Sequence, residues 1–238
     1  MQSVTSRPRA FIRVSGPDAE DFLQRMVSND VATHERCDAL LLTPKARIIA
    51  PLRIVRRAPD DFLLSTEPEL GDVVRTQLLR ARFAAKVEIE PEEHEAWFVL
   101  DGDEAVDERP AGDEVGEEEY ERWRIESAVP RWGRELDDKV LPAEAGLDET
   151  HVSFTKGCYP GQEPIARQRH RGKVNRRLRV LDVQAAAEPG DELLYEGKKV
   201  GRVTSAVNGV ALGYVRVEVP QEAELHFAAK AGSARVRR

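Results

Sequence analysis

From residue 177 onward the chain reads as short, evenly spaced apolar segments, and this most narrows what it can fold into. Segments 178–183, 192–195, 200–207 and 210–217 alternate or run apolar, and Gly190, Gly197 and Asn208-Gly209 separate them. An Asn-Gly pair between two such runs favours a two-residue hairpin, because both residues tolerate the positive φ that the turn demands. Strands of this length and spacing suit a small barrel, which closes on itself and leaves no exposed edge. The last residues, 230–238, read as a polar and basic strand or tail.

The preceding part of the chain has a different rhythm. A short strand at 11–14 ends at Ser15-Gly16, and Pro17 suits the first turn of a helix. Ala19, Phe22, Leu23, Met26 and Val27 then recur at helical spacing until Asn29-Asp30. Residues 40–42 and 47–55 flank Thr43-Pro44-Lys45 as a hairpin, and 62–64 is a further strand. A second amphipathic helix is expected over 67–83, with Leu70, Val73, Val74, Leu78 and Phe83 inward. Strands follow near 86–89 and 96–100, and the Asp-, Glu-, Gly- and Pro-rich stretch 101–116 reads as an exposed loop. Helical spacing returns over 117–127 through Tyr120, Trp123 and Ile125, and 136–154 is irregular. Interleaved helices and antiparallel hairpins make this an α+β region. We expect two domains, 1–174 and 175–238.

Charge and cysteine content set limits on function. A net charge of -7 over 238 residues argues against direct nucleic-acid binding, which runs on phosphate neutralisation. Acid concentrates in 88–121, while 167–179 is basic. Cys37 and Cys158 are the only cysteines, too few for a disulfide framework, a zinc site or the four thiolates of an iron–sulfur cluster. The five histidines, His34, His94, His151, His170 and His226, show no close metal-ligand spacing, so no bound metal is expected. Residues 1–15 lack a signal-peptide core and no apolar run approaches a membrane span, which leads us to expect a cytoplasmic protein.

Chemistry concentrates in 156–172, Lys-Gly-Cys-Tyr-Pro-Gly-Gln-Glu-Pro-Ile-Ala-Arg-Gln-Arg-His-Arg-Gly. Tyr159-Pro160-Gly161 reads as a turn, with proline fixing one φ and glycine accepting a positive one. Lys156 beside Cys158 is the kind of neighbour that stabilises a thiolate. A small buried cysteine packing a tight turn is the competing reading. A helix over 161–171 is expected, with Pro164 tolerable only in its first turn. Gln162 and Glu163 could close a pocket or cap backbone amides there. Arg167, Arg169, His170 and Arg171 read equally as an anion-binding set or a solvated basic face.

Lys156-Gly157-Cys158-Tyr159-x-Gly161-Gln162-Glu163, with Arg167 and His170-Arg171-Gly172, resembles the signature of the YgfZ family. Those are folate-binding proteins related to the aminomethyltransferase of the glycine cleavage system. The resemblance extends through 14–24, Asn29-Asp30-Val31, Leu42-Thr43-Pro44-Lys45, 124–133, Gly201-Arg202-Val203-Thr204-Ser205 and 211–216. It implies an aminomethyltransferase-like folate-binding domain followed by a C-terminal β-barrel, and a tetrahydrofolate ligand. It also implies assistance to iron–sulfur enzymes, including ones that modify tRNA, as partners. By that resemblance Glu126 holds the pterin, since a carboxylate accepts two parallel N–H bonds from such a ring. Arg124, Tyr159, Gln162, Glu163 and Arg167 complete the ligand site, and Cys158 with Lys156 supplies a nucleophilic or redox thiol.

One departure bears on activity. Where aminomethyltransferases read roughly Gly-Gly-Ile-Ile-Asp-Asp, with an aspartate implicated in catalysis, this chain has Ala46-Arg47-Ile48-Ile49-Ala50-Pro51. Neither Ala50 nor Pro51 can accept a proton. Ordinary aminomethyl transfer is therefore not expected. A tetrahydrofolate-dependent transferase or demethylase and a ligand-free scaffold are the alternatives to a folate-binding accessory protein.

Overall fold

The computed structural model describes residues 2–100, 102–172 and 174–237. The chain opens with β1 (Ser3–Ser6), β2 (Ala10–Ser15), α1 (Ala19–Met26), β3 (Arg36–Leu42), β4 (Ile48–Ala58) and β5 (Asp61–Thr66). A single 3₁₀ turn, Pro68–Leu70, leads into α2 (Gly71–Ala81). Next come β6 (Glu88–Glu92), β7 (Ala96–Val99), β8 (Glu104–Val106), β9 (Asp113–Glu114), α3 (Glu117–Glu126) and α4 (Gln162–Arg171). The strands β10 (Arg176–Val183), β11 (Glu192–Tyr195), β12 (Lys198–Val207), β13 (Val210–Arg216), β14 (Glu224–Phe227) and β15 (Ser233–Val236) complete it.

These strands make two sheets and a barrel. An antiparallel five-stranded sheet runs β3-β4-β5-β2-β6, and a four-stranded one runs β8-β7-β1-β9. The barrel closes in the order β10-β13-β12-β11-β14-β15. Period-two alternation along β4 decides which side chains reach which side of the first sheet. Ala50, Leu52 and Ile54 join Phe22 and Leu23 of α1 and Val74 and Leu78 of α2 in one core. Pro51 and Arg53 therefore fall on the opposite face. A second core gathers Leu40, Leu42 and Ile48 with Leu136, Leu147, Tyr159, Ile165 and, from the barrel, Tyr214. A smaller cluster seats Ile125 of α3 on Val210 and Leu212 of the barrel.

Several expectations need correction. The helix predicted over 67–83 is a 3₁₀ turn followed by α2, which stops at Ala81. Phe83, expected inward, is 91% exposed beyond the helix end, and Val73 is 41% exposed. The stretch 101–116 is not simply a loop: β8 pairs with β7, and β9 runs parallel to β1. Asp101, at its start, and Arg238, at the chain end, lie outside the described residues. The barrel also needs β14, a strand whose alternation is too short to stand out in the sequence. Asn208-Gly209 does form the β12–β13 hairpin, with Val207 opposite Val210.

The turn before α4 is held by its glycine. Gly161 has φ of +87°, and a Cβ there would lie 2.8 Å from the Thr43 carbonyl oxygen and 3.1 Å from the Ala46 Cα. The signature turn thus rests directly on the β3–β4 loop. Gly161→Ala is expected to cost about 1–3 kcal/mol through strain and that clash. Phe83→Ser should stay within about 0.5 kcal/mol, as an exposed substitution. Urea unfolding of the two variants checks both; a large loss for the Phe83 variant would contradict the placement of that ring in solvent.

Candidate functional site

A cleft of about 510 Å³ opens where the first sheet, α3 and the start of the barrel meet. Its walls come from Arg7 and Arg9, Asp38 of β3, Pro51 and Arg53 of β4, and Glu67. Tyr120, Trp123 and Arg124 of α3, the 127–131 turn, Thr150, His151 and Leu178 of β10 complete them. This volume falls within the range of small-molecule and cofactor sites. Five arginines face two carboxylates along it, so the walls favour an anionic ligand.

The charges are mostly paired. Asp38 lies directly opposite Arg53 in the β3–β4 register and accepts two hydrogen bonds from it, at 2.8 and 3.3 Å. Burial alone would raise the Asp38 carboxyl; the hydrogen bonds and charge of Arg53 hold it below its ordinary value instead. Arg53 also donates to the Gly102 carbonyl at 3.1 Å, yet its buried Nη1 has no partner. Glu67 sits 3.2 Å from Arg9, and Arg7 ion-pairs with Glu117 at 2.6 Å. Arg7 also lies over the Tyr120 ring, 4.0 Å from its centroid, and Tyr120 packs against Trp123. An aromatic wall next to an unsatisfied guanidinium donor suits a flat heterocycle bearing carbonyl or carboxylate groups.

Of the residues expected to hold a ligand, Arg124 alone lines the cleft, and its role is different. All five of its N–H donors are used: by Glu121 at 2.9 and 2.8 Å, Val129 O at 2.9 Å, Glu135 at 2.9 Å and Ser205 Oγ at 2.8 Å. None remains for a ligand. Glu126 follows two positions later, about 200° round the helix. It pairs with Arg122 at 3.4 Å and with Arg237 of the barrel at 3.6 Å. Lys156 does not serve Cys158: its buried ammonium donates to Val27 O at 2.8 Å and Asn29 O at 2.6 Å, pinning the loop to the end of α1. Burial brings that ammonium down to about 8, against the charge of Asp30.

Tyr159 is buried in the second core rather than presented to a ligand, and burial pushes its phenol up to about 12. Glu163 and Arg167 pair with each other on the exposed face of α4 at 2.7 Å, and Gln162 opens that helix after Gly161. Cys158 is exposed, which removes the reading of a cysteine buried to pack the turn. The structure does not bring Glu126 and Cys158 together at the cleft, since neither lines it. The residues that do were missed for a physical reason: eight separate segments contribute them. One signal was present, the charges Asp38 and Arg53 set among the apolar residues of β3 and β4.

Comparison with known proteins fits this geometry. Residues 175–237 match the model of the CAF17 C-terminal β-barrel domain. The human mitochondrial iron–sulfur cluster assembly factor IBA57 is 29% identical over 286 aligned positions, covering 94% of this chain and 80% of that protein. The chain is thus similar to IBA57-type iron–sulfur cluster assembly factors along most of its length. A chloroplastic protein of Arabidopsis thaliana is 38% identical over 108 residues, 43% of this chain, which spans only 25% of that protein's length. The aminomethyltransferase T of the glycine cleavage system from Bartonella henselae has a similar structure, with a TM-score of 0.86 at 18% identity. That match covers 100% of this chain and 85% of the other. The chain therefore has the aminomethyltransferase-like fold with a closed C-terminal barrel. Among the described residues no cluster of three or more metal-ligating side chains is present, and no helix is long and apolar enough to cross a membrane.

The buried Arg124–Glu135 pair yields a prediction. Removing one partner of such a pair leaves a charge without compensation, at a cost of about 3–5 kcal/mol. Arg124→Ala and Glu135→Ala should each lose stability on that scale in urea unfolding. Glu126→Ala, whose ion pairs are partly exposed, should lose less than about 1 kcal/mol.

Proposed function

We propose that this protein is a tetrahydrofolate-binding accessory factor that assists iron–sulfur cluster assembly or maintenance. The single observation that carries the ligand reading is the cleft: aromatic and arginine-rich, with the unpartnered Arg53 Nη1 on its wall. Pterin against Trp123 and Tyr120, with carbonyl or carboxylate groups toward Arg53 and Arg9, is the arrangement these residues suit. Folate chemistry, when the ligand is bound, is that of a one-carbon carrier. We set the ligand-binding unit at 1–174 and the barrel at 175–238.

Transferase chemistry is the weaker reading. Pro51 stands on the cleft wall in the segment where the aminomethyltransferase pattern places its aspartates. Asp38 is already committed to Arg53, and Glu67 to Arg9. Among the described residues no wall carboxylate is left to act as a base. The iron–sulfur role rests on the IBA57 relatives and on the exposed Cys158 in the signature turn, which is open to a partner. Clients that modify tRNA are the narrower form of the proposal, and a reducing compartment such as the cytoplasm suits an exposed free thiol.

Two outcomes test this. Tetrahydrofolate should quench Trp123 fluorescence on titration, and Trp123→Ala or Arg53→Lys should weaken binding about tenfold, or ~1.4 kcal/mol. No saturable binding by the unmodified protein would favour the empty scaffold. A strain carrying Cys158→Ser should lose iron–sulfur enzyme activity while the purified variant still binds tetrahydrofolate. Normal enzyme activity in that strain would remove the thiol from the mechanism.

A further inference from the structure

Among the described residues, the cleft contains one titratable base that its own walls do not neutralise. Asp38 is tied to Arg53, Glu67 to Arg9, and Pro51 brings no acid. His151 remains. It sits on the cleft wall at the end of the irregular 136–154 segment, held by its backbone: the Ser28 hydroxyl donates to its carbonyl at 2.6 Å, and its own amide donates to Leu147 O at 2.9 Å. The Thr150 hydroxyl lies 2.7 Å from Nδ1, and among the described residues none hydrogen-bonds Nε2. The charged groups that bear on the ring are Asp38 of β3 and Arg53 of β4. Arg9, Glu67 and Arg131 line the cleft elsewhere.

We propose that His151 is a ligand-positioning residue of this cleft, its neutral imidazole accepting a hydrogen bond at Nε2 from an N–H group of the bound heterocycle. This rests on the ligand reading above and deepens it. The chemistry selects a ligand that carries N–H donors on a flat ring, as a reduced pterin does. Trp123 and Tyr120 of α3 supply the aromatic wall, and Arg53 supplies the neighbouring donor. The ring is in the acceptor state at neutral pH, because burial and the Arg53 charge lower its proton affinity against the pull of Asp38. A protonated imidazole is a donor at both nitrogens and cannot accept. Ligand affinity must then fall as pH drops through the imidazole pKa, by up to about tenfold per pH unit for one linked proton.

The test is calorimetric titration of the full chain with tetrahydrofolate between about pH 5.5 and 7.5, bracketing an ordinary or lowered imidazole value. The unmodified protein and His151→Gln are compared, with thermal unfolding confirming that the variant is folded. Glutamine keeps an acceptor oxygen but does not titrate. The expected result is comparable affinity near pH 7.5, with the decline on acidification flattened in the variant. The C2–H proton resonance of His151 should also shift its titration midpoint downward on adding ligand, because bound ligand favours the neutral ring. Binding by both proteins with the same pH dependence would overturn the role of His151 and leave the ligand reading standing. No binding by the unmodified protein at any pH would overturn both.

Discussion

The structure depends on one buried ion pair. Arg124, 1% exposed, and Glu135, 0% exposed by side chain, meet where α3, the 129–136 segment and the barrel come together. Two opposite charges buried this deeply would be costly alone, and their surroundings compensate them. Glu135 accepts from Arg124, from Ser205 of β12 and from the Arg131 amide, and its carbonyl accepts from the Tyr214 hydroxyl of β13. Glu121 takes two more of the Arg124 donors. A single satisfied network thus fixes the helix and the loop against two barrel strands.

That seam also shapes the cleft. Trp123 and Tyr120 project from the helix that Arg124 anchors, and the 127–131 turn that closes one side follows it immediately. Ala128 adopts a positive φ of 54° in this turn, a conformation held in place by flanking bonds from the Ala128 and Val129 amides back into α3. On the far wall, Asp38 and Arg53 are set by strand register. Cleft and seam are consequences of the same packing: the barrel does not merely follow the α+β part of the chain but helps to build the cleft.

The local architecture was legible because it follows from short-range rules. Pro160-Gly161 signalled its turn, Asn208-Gly209 its hairpin, and the spacing of Ala19, Phe22 and Leu23 its helix, since each depends on residues a few positions apart. Phe83 misled because hydrophobicity alone extended α2 past its end, while the chain had already left the helical stripe. The site was harder to read. Arg124 and Glu126 look like one recognition pair in the sequence, but two positions along a helix point to nearly opposite sides. Lys156 and Cys158 look like a catalytic pair, but one is buried against backbone carbonyls and the other is exposed. His151 drew attention only as a residue without metal-ligand spacing. Its place on the cleft wall depends on the Ser28 contact, made across 123 positions of sequence.

The central claim is that the seam held by Arg124 and Glu135 forms a pocket for a folate. A crystal structure of the protein grown with tetrahydrofolate tests it most directly. The account predicts ring density in the cleft against Trp123, with Arg53 Nη1 within hydrogen-bonding distance of the ligand. Density beside Glu126 and Arg237 on the barrel-facing side, or a cleft filled only by water at saturating ligand, would contradict it.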